Sequence, residues 1–249
     1  RVIPVAPSEV WSMASEKGHE MRFVKSRVEY LLRTEGVRGL LSGAVRYVGS
    51  MGRRVVSVER FVIYQFETDV GSLPVRCPGI AGLEVVVLER NEDVERLARS
   101  GYPVPVYFPT FHRRWLDRGG VAFCAYIDRE PAHLAWAAFS KEARGCCDYL
   151  PYQVDFEHGE ACWGGAYTPR RFRGLGLYTY VCGIRLKYMH EHGYSRCRDA
   201  VRVGNHASLR GQGFWNPRPR LSGRFVRCFR WTRWHEYPCE LGGLCGQQR

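Results

Sequence analysis

Hydrophobic positions along this chain change their period several times, and each change marks an element. Over residues 16–50, Met21, Val24, Val28, Leu31 and Leu32 recur at helical spacing. Gly36 then separates them from Val37, Leu40, Leu41, Val45 and Val48, so two helices are expected. Residues 55–66 are rich in Val, Ile, Tyr and Phe, as strands are. The glycine- and proline-bearing stretch over 71–79 reads as a linker. Residues 83–88 form a short apolar strand, and Asn91 is placed to cap a helix containing Val94, Leu97 and Ala98. Prolines at 103, 105 and 109 interrupt the chain before a second helical piece around 111–116. Residues 121–127 and 132–139 read as strands joined by a hairpin at Asp128-Arg129-Glu130-Pro131, with another strand over 160–168.

A helix over 177–192 carries the stripe Leu177, Val181, Ile184 and Tyr188, spaced to face a sheet. Gly183 is expected to let it approach that sheet, and Gly193 to stop it. Residues 197–203 alternate as a strand. Asn205 and Ser208 open a short helix ending by Gly211 or Gly213, and residues 224–234 contain the last strand or two. The final residues, 238–249, are expected to fray.

The chain has 249 residues, 45% hydrophobic and 25% charged, which suits a globular protein. Its net charge of +12 favours anionic partners: a phosphorylated cofactor, an acidic substrate, nucleic acid or an anionic surface. The ten cysteines include no Cys-x-x-Cys pair. Cys124, Cys182 and Cys228 lie in apolar runs as small core residues, so neither a zinc site nor a disulfide framework is expected. Reduced thiols point to a cytoplasmic protein. No run approaches the ~18 apolar residues of a membrane span. Residues 1–15 lack the apolar core of a secretory signal, and the chain opens on Arg1, consistent with a start lying upstream. Three regions are expected: an N-terminal extension of two helices and a strand over 1–79, a main domain over 80–237, and a tail over 238–249.

The chemistry concentrates at Arg171-Phe172-Arg173-Gly174-Leu175-Gly176-Leu177, where a strand turns into a helix. Glycine reaches φ > 0 and lets backbone approach a ligand closely. The first turn of a helix presents unpaired N–H groups and the positive end of the macrodipole, so such a turn is a seat for phosphate. The order of elements, with this turn and the downstream Asn205-x-x-Ser208, resembles the GNAT superfamily of acyl-CoA-dependent N-acyltransferases over roughly 80–237. The likeness is tightest over 166–208. The family's pyrophosphate loop, Arg/Gln-x-x-Gly-x-Gly/Ala, fits in two frames. One starts at Arg171 and is literal. The other starts at Arg173, requires Gly176 and places Tyr178 where Gly or Ala is usual; we prefer it for its Phe172-to-Leu177 run and its distance to Gly193.

The resemblance implies an α/β fold of the α+β type: a mixed, mainly antiparallel sheet flanked by helices, preceded by the helical and strand extension. It also implies acetyl-CoA as acyl donor, an unidentified amine acceptor and no metal. Backbone from Arg173 through Gly174, Leu175, Gly176 and Leu177 to Tyr178 would cradle the pyrophosphate. Arg171 or Arg173 would reach the outer phosphate, as would Arg170. Thr168 would offer its backbone to the pantetheine arm, Asn205 would bond that arm, and Ser208 would stand near the adenosine side. Glu160 leads as general base, ahead of Asp155 and Glu157. The tyrosine that often serves as acid is missing from the short helix after Asn205. Transfer of an aminoacyl or long acyl group, or an impaired CoA-binding module, remain alternatives.

One further run stands apart: Arg224, Arg227, Arg230 and Arg233 interleaved with Phe225, Phe229, Trp231 and Trp234. Arginines with aromatics suit nucleic acid. A spacing of three cannot keep them on one face of a regular strand, which favours an interrupted strand pair with arginines near the substrate groove. Trp136 is assigned to the core rather than to an acceptor pocket.

Overall fold

The computed structural model describes residues 2–4, 56–69, 75–106, 108–215, 217–229 and 231–239; the helices expected over 16–50 and most of the tail lie outside them. The elements are β1 (Val2–Pro4), β2 (Val56–Glu67), β3 (Leu83–Leu88), α1 (Asn91–Arg99), α2 (Arg114–Asp117), β4 (Gly120–Ile127) and β5 (Glu130–Ala138). They continue with β6 (Glu160–Tyr167), α3 (Leu177–Glu191), β7 (Arg196–Arg202), α4 (His206–Gly213), β8 (Arg218–Cys228) and β9 (Trp231–Pro238). Among the described residues the strands form one sheet in the order β1-β9-β8-β2-β7-β6-β5-β4-β3. Only β6 and β7 are parallel neighbours, so the sheet is mixed and mainly antiparallel as expected.

β4 and β5 are apolar on both faces because both are covered. On one face α1 and α2 bury Val94, Leu97, Trp115 and Leu116 with Phe108, Trp136 and Tyr152. On the other, α3 packs Val181, Leu186 and Met189 on Phe66, Phe123, Trp163 and Cys197. The β4–β5 hairpin turns at Asp128 and Arg129, with φ of 47° and 63°, the left-handed pair that a two-residue turn matching strand twist demands. Trp136 is fully buried, its indole N–H donating to the Thr110 carbonyl at 2.9 Å.

β2 was expected as a strand of an N-terminal extension. It is instead a central strand, paired antiparallel to β7 from Phe61 to Glu67 and to β8 from Val56 to Gln65. Its composition suits that position: Phe61, Val62, Ile63 and Phe66 bury on alternating faces.

Four finer expectations are corrected. Asn91 does not cap α1; its amide meets Asp117 and Arg113, while the Asp93 carboxylate accepts from the N–H groups of Glu89 and Arg90. The buried face of α3 is Val181, Cys182, Arg185, Leu186 and Met189, with Ile184 and Tyr188 at its margin. A Cβ at Gly183 would stand 2.6 Å from the Trp215 ring, so that glycine admits an indole rather than the sheet. Cys228 is exposed, because it ends β8 beyond the core. The described cysteines are all free thiols.

Candidate functional site

β6 and β7 pair over only three residues, Glu160 with Arg196, Ala161 with Cys197 and Cys162 with Arg198. Beyond them β6 follows β5 and β7 follows β2, so the two strands part. A bulge accompanies the parting: Trp136 faces Gly164 but Leu134 faces Tyr167, leaving one extra residue on β6. Gly165 takes φ 55° there, and a Cβ on it would lie 2.3 Å from the Cys146 carbonyl oxygen. Only glycine fits that backbone.

The chain leaves β6 through a 3-10 turn at Arg170–Phe172 and enters α3 by the glycine turn. Gly174 and Gly176 both have φ near 80°, and Gly176 caps α3. The first intrahelical bond runs from Tyr180 N–H to the Gly176 carbonyl at 3.0 Å. The N–H groups of Leu177, Tyr178 and Thr179 therefore precede it, at the positive end of a 15-residue helix. Arg173, Gly174, Leu175 and Gly176 are exposed, while Leu177 anchors the turn in the core.

Other predicted residues occupy more particular roles. Arg171 pairs with Glu130 at the β5 start. Arg173 donates from Nε to the Thr168 carbonyl at 3.1 Å, bracing the loop across its base. That carbonyl, expected to serve a ligand, has this partner in the structure. Asn205 caps α4, its Oδ1 accepting from Ser208 N–H at 3.3 Å. Ser208 Oγ lies 3.2 Å from the Tyr178 hydroxyl, and Gln212 Nε2 donates to the same hydroxyl at 3.1 Å. Tyr178 thus turns inward and ties the start of α3 to α4. A Cβ at Gly211 would meet its ring at 2.5 Å, which explains a glycine in so short a helix.

Glu160, expected as general base, lies away from the glycine turn. It opens β6, about 23 Å of strand from the end that leads to the glycine turn. It is buried, and its carboxylate accepts from Arg198 Nε at 2.9 Å, Arg198 Nη2 at 3.0 Å and Asp155 N–H at 2.9 Å, with Arg196 at 3.7 Å. Burial alone would raise its pKa. The Arg198 hydrogen bonds, the Asp155 N–H and the two arginine charges outweigh burial and hold it below the ordinary glutamate value. It is a structural clasp. Asp155 bonds the exposed His158 at 2.8 Å, and neither it nor Glu157, on the adjacent 3-10 turn, reaches the parting of the strands.

The carboxylate at the parting is Asp199 of β7, just past the last β6–β7 pair. It is buried, bonded by Gln212 Nε2 and set near Arg185 and Trp163. Burial pushes its pKa up, and Arg185 pulls it back less strongly; it stands at about 7. Arg185 is buried in α3, donating to the Trp136 carbonyl at 3.2 Å with its guanidinium 4.4 Å over the Trp163 ring. His133 completes this wall, its Nδ1 2.7 Å from Thr168 Oγ1; burial, helped by Arg185, holds the imidazole neutral with a pKa of about 3. Sequence reasoning missed Asp199 and Arg185. The alternation over 197–203 was the available signal, since it puts Asp199 on the face of Cys197 and Val201.

On the opposite face, Cys146 and Cys147 Sγ atoms are 3.6 Å apart, and the Tyr152 hydroxyl lies 2.6 Å from Asp148 and 3.3 Å from Cys162 Sγ. Burial drives Cys147 well above the ordinary thiol pKa; the Cys147 contact, then burial, does the same to Cys162. Cys147 and Cys162 stay protonated, and a covalent acyl-cysteine step has no activated nucleophile in either. Beyond the end of β7, a groove of about 400 Å³ opens between Val56–Arg60 of β2 and Arg202, Val203 and Gly204. Glu59 pairs across it with Arg202 at 2.8 Å. Among the described residues no group of three His, Cys, Asp or Glu is placed to hold a metal, and no helix is long and apolar enough to cross a membrane.

No protein-family model matches this chain, and no curated protein matches it. Solved structures do. Several are GNAT-family acetyltransferases. One, from Colwellia psychrerythraea, is 11% identical with a TM-score of 0.41, over 77% of this chain and 61% of that one. A GCN5-related N-acetyltransferase from Kribbella flavida is 17% identical with a TM-score of 0.39, over 78% and 63%. A tandem GNAT protein from the clavulanic acid biosynthesis pathway is 16% identical with a TM-score of 0.45, over 81% and 60%. This chain thus spans 60 to 63% of the length of these three.

Proposed function

We propose that this protein transfers an acetyl or other short acyl group from its coenzyme A thioester to an amine by direct attack. The observation that carries the reading is a conjunction: the glycine-flanked start of α3 follows the free end of β6, beyond its parting from β7, and Tyr178 at that start is joined through Gln212 to Asp199. A helix start with two left-handed glycines suits a pyrophosphate, and parted parallel strands leave backbone groups for an extended amide-bearing arm. Arg170 and Arg173 flank the turn for the outer phosphate.

In this reading the amine nitrogen attacks the thioester carbonyl carbon, the C–S bond breaks, and coenzyme A leaves as the thiolate. The amine's proton passes to Asp199, whose pKa of about 7 suits an acceptor at neutral pH. The thiolate takes its proton from solvent. The acceptor enters from the groove beyond β7. Titration calorimetry with acetyl-CoA, followed by thiol release across a panel of amines, tests the proposal. Binding with thiol release supports it; binding without release supports the impaired module; no binding removes both.

A further inference from the structure

The Arg- and aromatic-rich run of the last strands takes no part in the reading above, and the sheet reorganises it. A turn between Cys228 and Trp231 splits the run over β8 and β9, which brings Arg224, Trp231 and Arg233 to one face. Residues directly opposite one another share a face. Arg60 of β2, Arg224 of β8 and His235 of β9 form one cross-strand row. Val58, Val226 and Arg233 form the next, Val56, Cys228 and Trp231 the one beyond, and Tyr237 opposite Ser222 closes the other side. Arg227 points to the opposite face, with its guanidinium 5.5 Å from the Phe225 ring and 5.9 Å from Tyr149.

This face has three properties that belong together. Its aromatic rings are exposed, Trp231 at 52% and Tyr237 at 46%. Among the described residues it carries no carboxylate: Glu59 and Glu236 stand on the other side, bonded to Arg202 and Trp234. Its charges are mutually repulsive, since Arg60 lies directly opposite Arg224, an arrangement that destabilises a strand pair. The field is felt at His235, whose pKa is lowered by partial desolvation, then by Arg233 and Arg224. Burial of apolar surface accounts for none of this, and a bound anion relieves the repulsion.

We propose that this face of β2, β8 and β9, which meets the groove beyond β7 at Arg60, binds single-stranded nucleic acid. Along β9 Trp231 and Tyr237 stand at the two ends with Arg233 and His235 between them, and Arg224 and Arg60 continue the His235 row onto β8 and β2, a spread of rings and guanidinium groups that suits a ligand carrying bases and phosphates. Trp231 and Tyr237 stack bases, while Arg60, Arg224 and Arg233 meet phosphates. The two rings stand six positions apart along β9, a span of about 20 Å, enough for several nucleotides.

Fluorescence anisotropy of a labelled oligo(dT) with the full chain at low salt tests this. Binding is expected to weaken with salt, with a log–log slope of about −2 if three phosphates are neutralised. Trp231→Ala is expected to weaken binding about tenfold. Arg224→Ser with Arg233→Ser is expected to flatten the salt slope to about −0.7. Tyr237→Ala repeats the test at the far end of the face, and all four exposed substitutions should leave the circular dichroism spectrum unchanged, with Arg224→Ser raising the melting temperature slightly by relieving its repulsion with Arg60. Three results would overturn the proposal. One is no binding at low salt. Another is binding indifferent to both ring substitutions, which would make the face a general polyanion site. The last is binding to phosphatidylserine vesicles without binding to the oligonucleotide.

Discussion

The two ends of the β6–β7 pair hold carboxylates in opposite circumstances. At the closed end the strands are paired, and Glu160 is gripped by Arg198 through two hydrogen bonds, with Arg196 beyond. At the open end Asp199 is also buried, but its partners do not offset the loss of water. The first is held ionised and does structural work. The second sits near neutrality, which suits the proton transfer proposed for it. Proximity to a charge is therefore a poor guide to chemistry; the balance between desolvation and partners decides.

Breaking each carboxylate should separate the two roles. Asp199→Asn is expected to lower thiol release with an amine acceptor by at least about 100-fold, the usual weight of a general base. Its affinity for acetyl-CoA should change little, and calorimetry beside a thiol assay reads both. A matching loss of affinity would make Asp199 a structural group as well. Glu160→Gln should act the other way. Leaving Arg198 without its buried partner is expected to lower unfolding free energy by roughly 3 kcal/mol, with turnover per folded molecule unchanged. A urea titration combined with active-site counting distinguishes these.

The same contrast predicts opposite pH dependences. Asp199 has a raised pKa in the fold, so its contribution to stability is fully present below about 3.8 and is lost as pH rises through about 7. Glu160 has a lowered pKa, so its contribution is present above its ordinary value and is lost on acidification. Unfolding free energy measured across pH 3 to 9 should peak in the weakly acidic range. Asp199→Asn should flatten the alkaline side, and Glu160→Gln the acid side. If Asp199 accepts the proton, turnover in wild type also rises through about pH 7.

The smallest effect is expected at the joint between α3 and α4. Tyr178→Phe removes the hydroxyl that Ser208 and Gln212 share, at a cost of about 1 kcal/mol. Asn205→Ala, losing the α4 cap, should cost a similar amount. A thermal melt reads both.

The turn, the helix and most strands were legible because their signals are local. Leu83–Leu88 is a run of apolar residues, Gly174 and Gly176 precede a helical stripe, and Asn205 precedes a serine at capping distance. Arg185 was not legible. A basic residue in mid-helix reads as solvent-facing, and it is the surrounding Cys182 Sγ, Trp136 carbonyl, Trp163 ring and Asp199 that make its burial tolerable. Glu160 misled for the complementary reason: a carboxylate at a strand start reads as available until the pairing register brings Arg198 beside it. The place of β2 was hidden as well, because strand composition names a strand without naming its neighbours. What sequence withholds here is pairing at a distance, and the candidate proton acceptor depends on it.

The central claim is that the glycine turn at the parting of β6 and β7 seats the pyrophosphate of coenzyme A. Titration calorimetry of acetyl-CoA into wild type and Gly176→Asp tests it most directly. One site per chain in wild type and no detectable binding in the variant, with the fold of both checked by circular dichroism, is the predicted result. Equal affinity in the two proteins, or no binding to wild type, would contradict it.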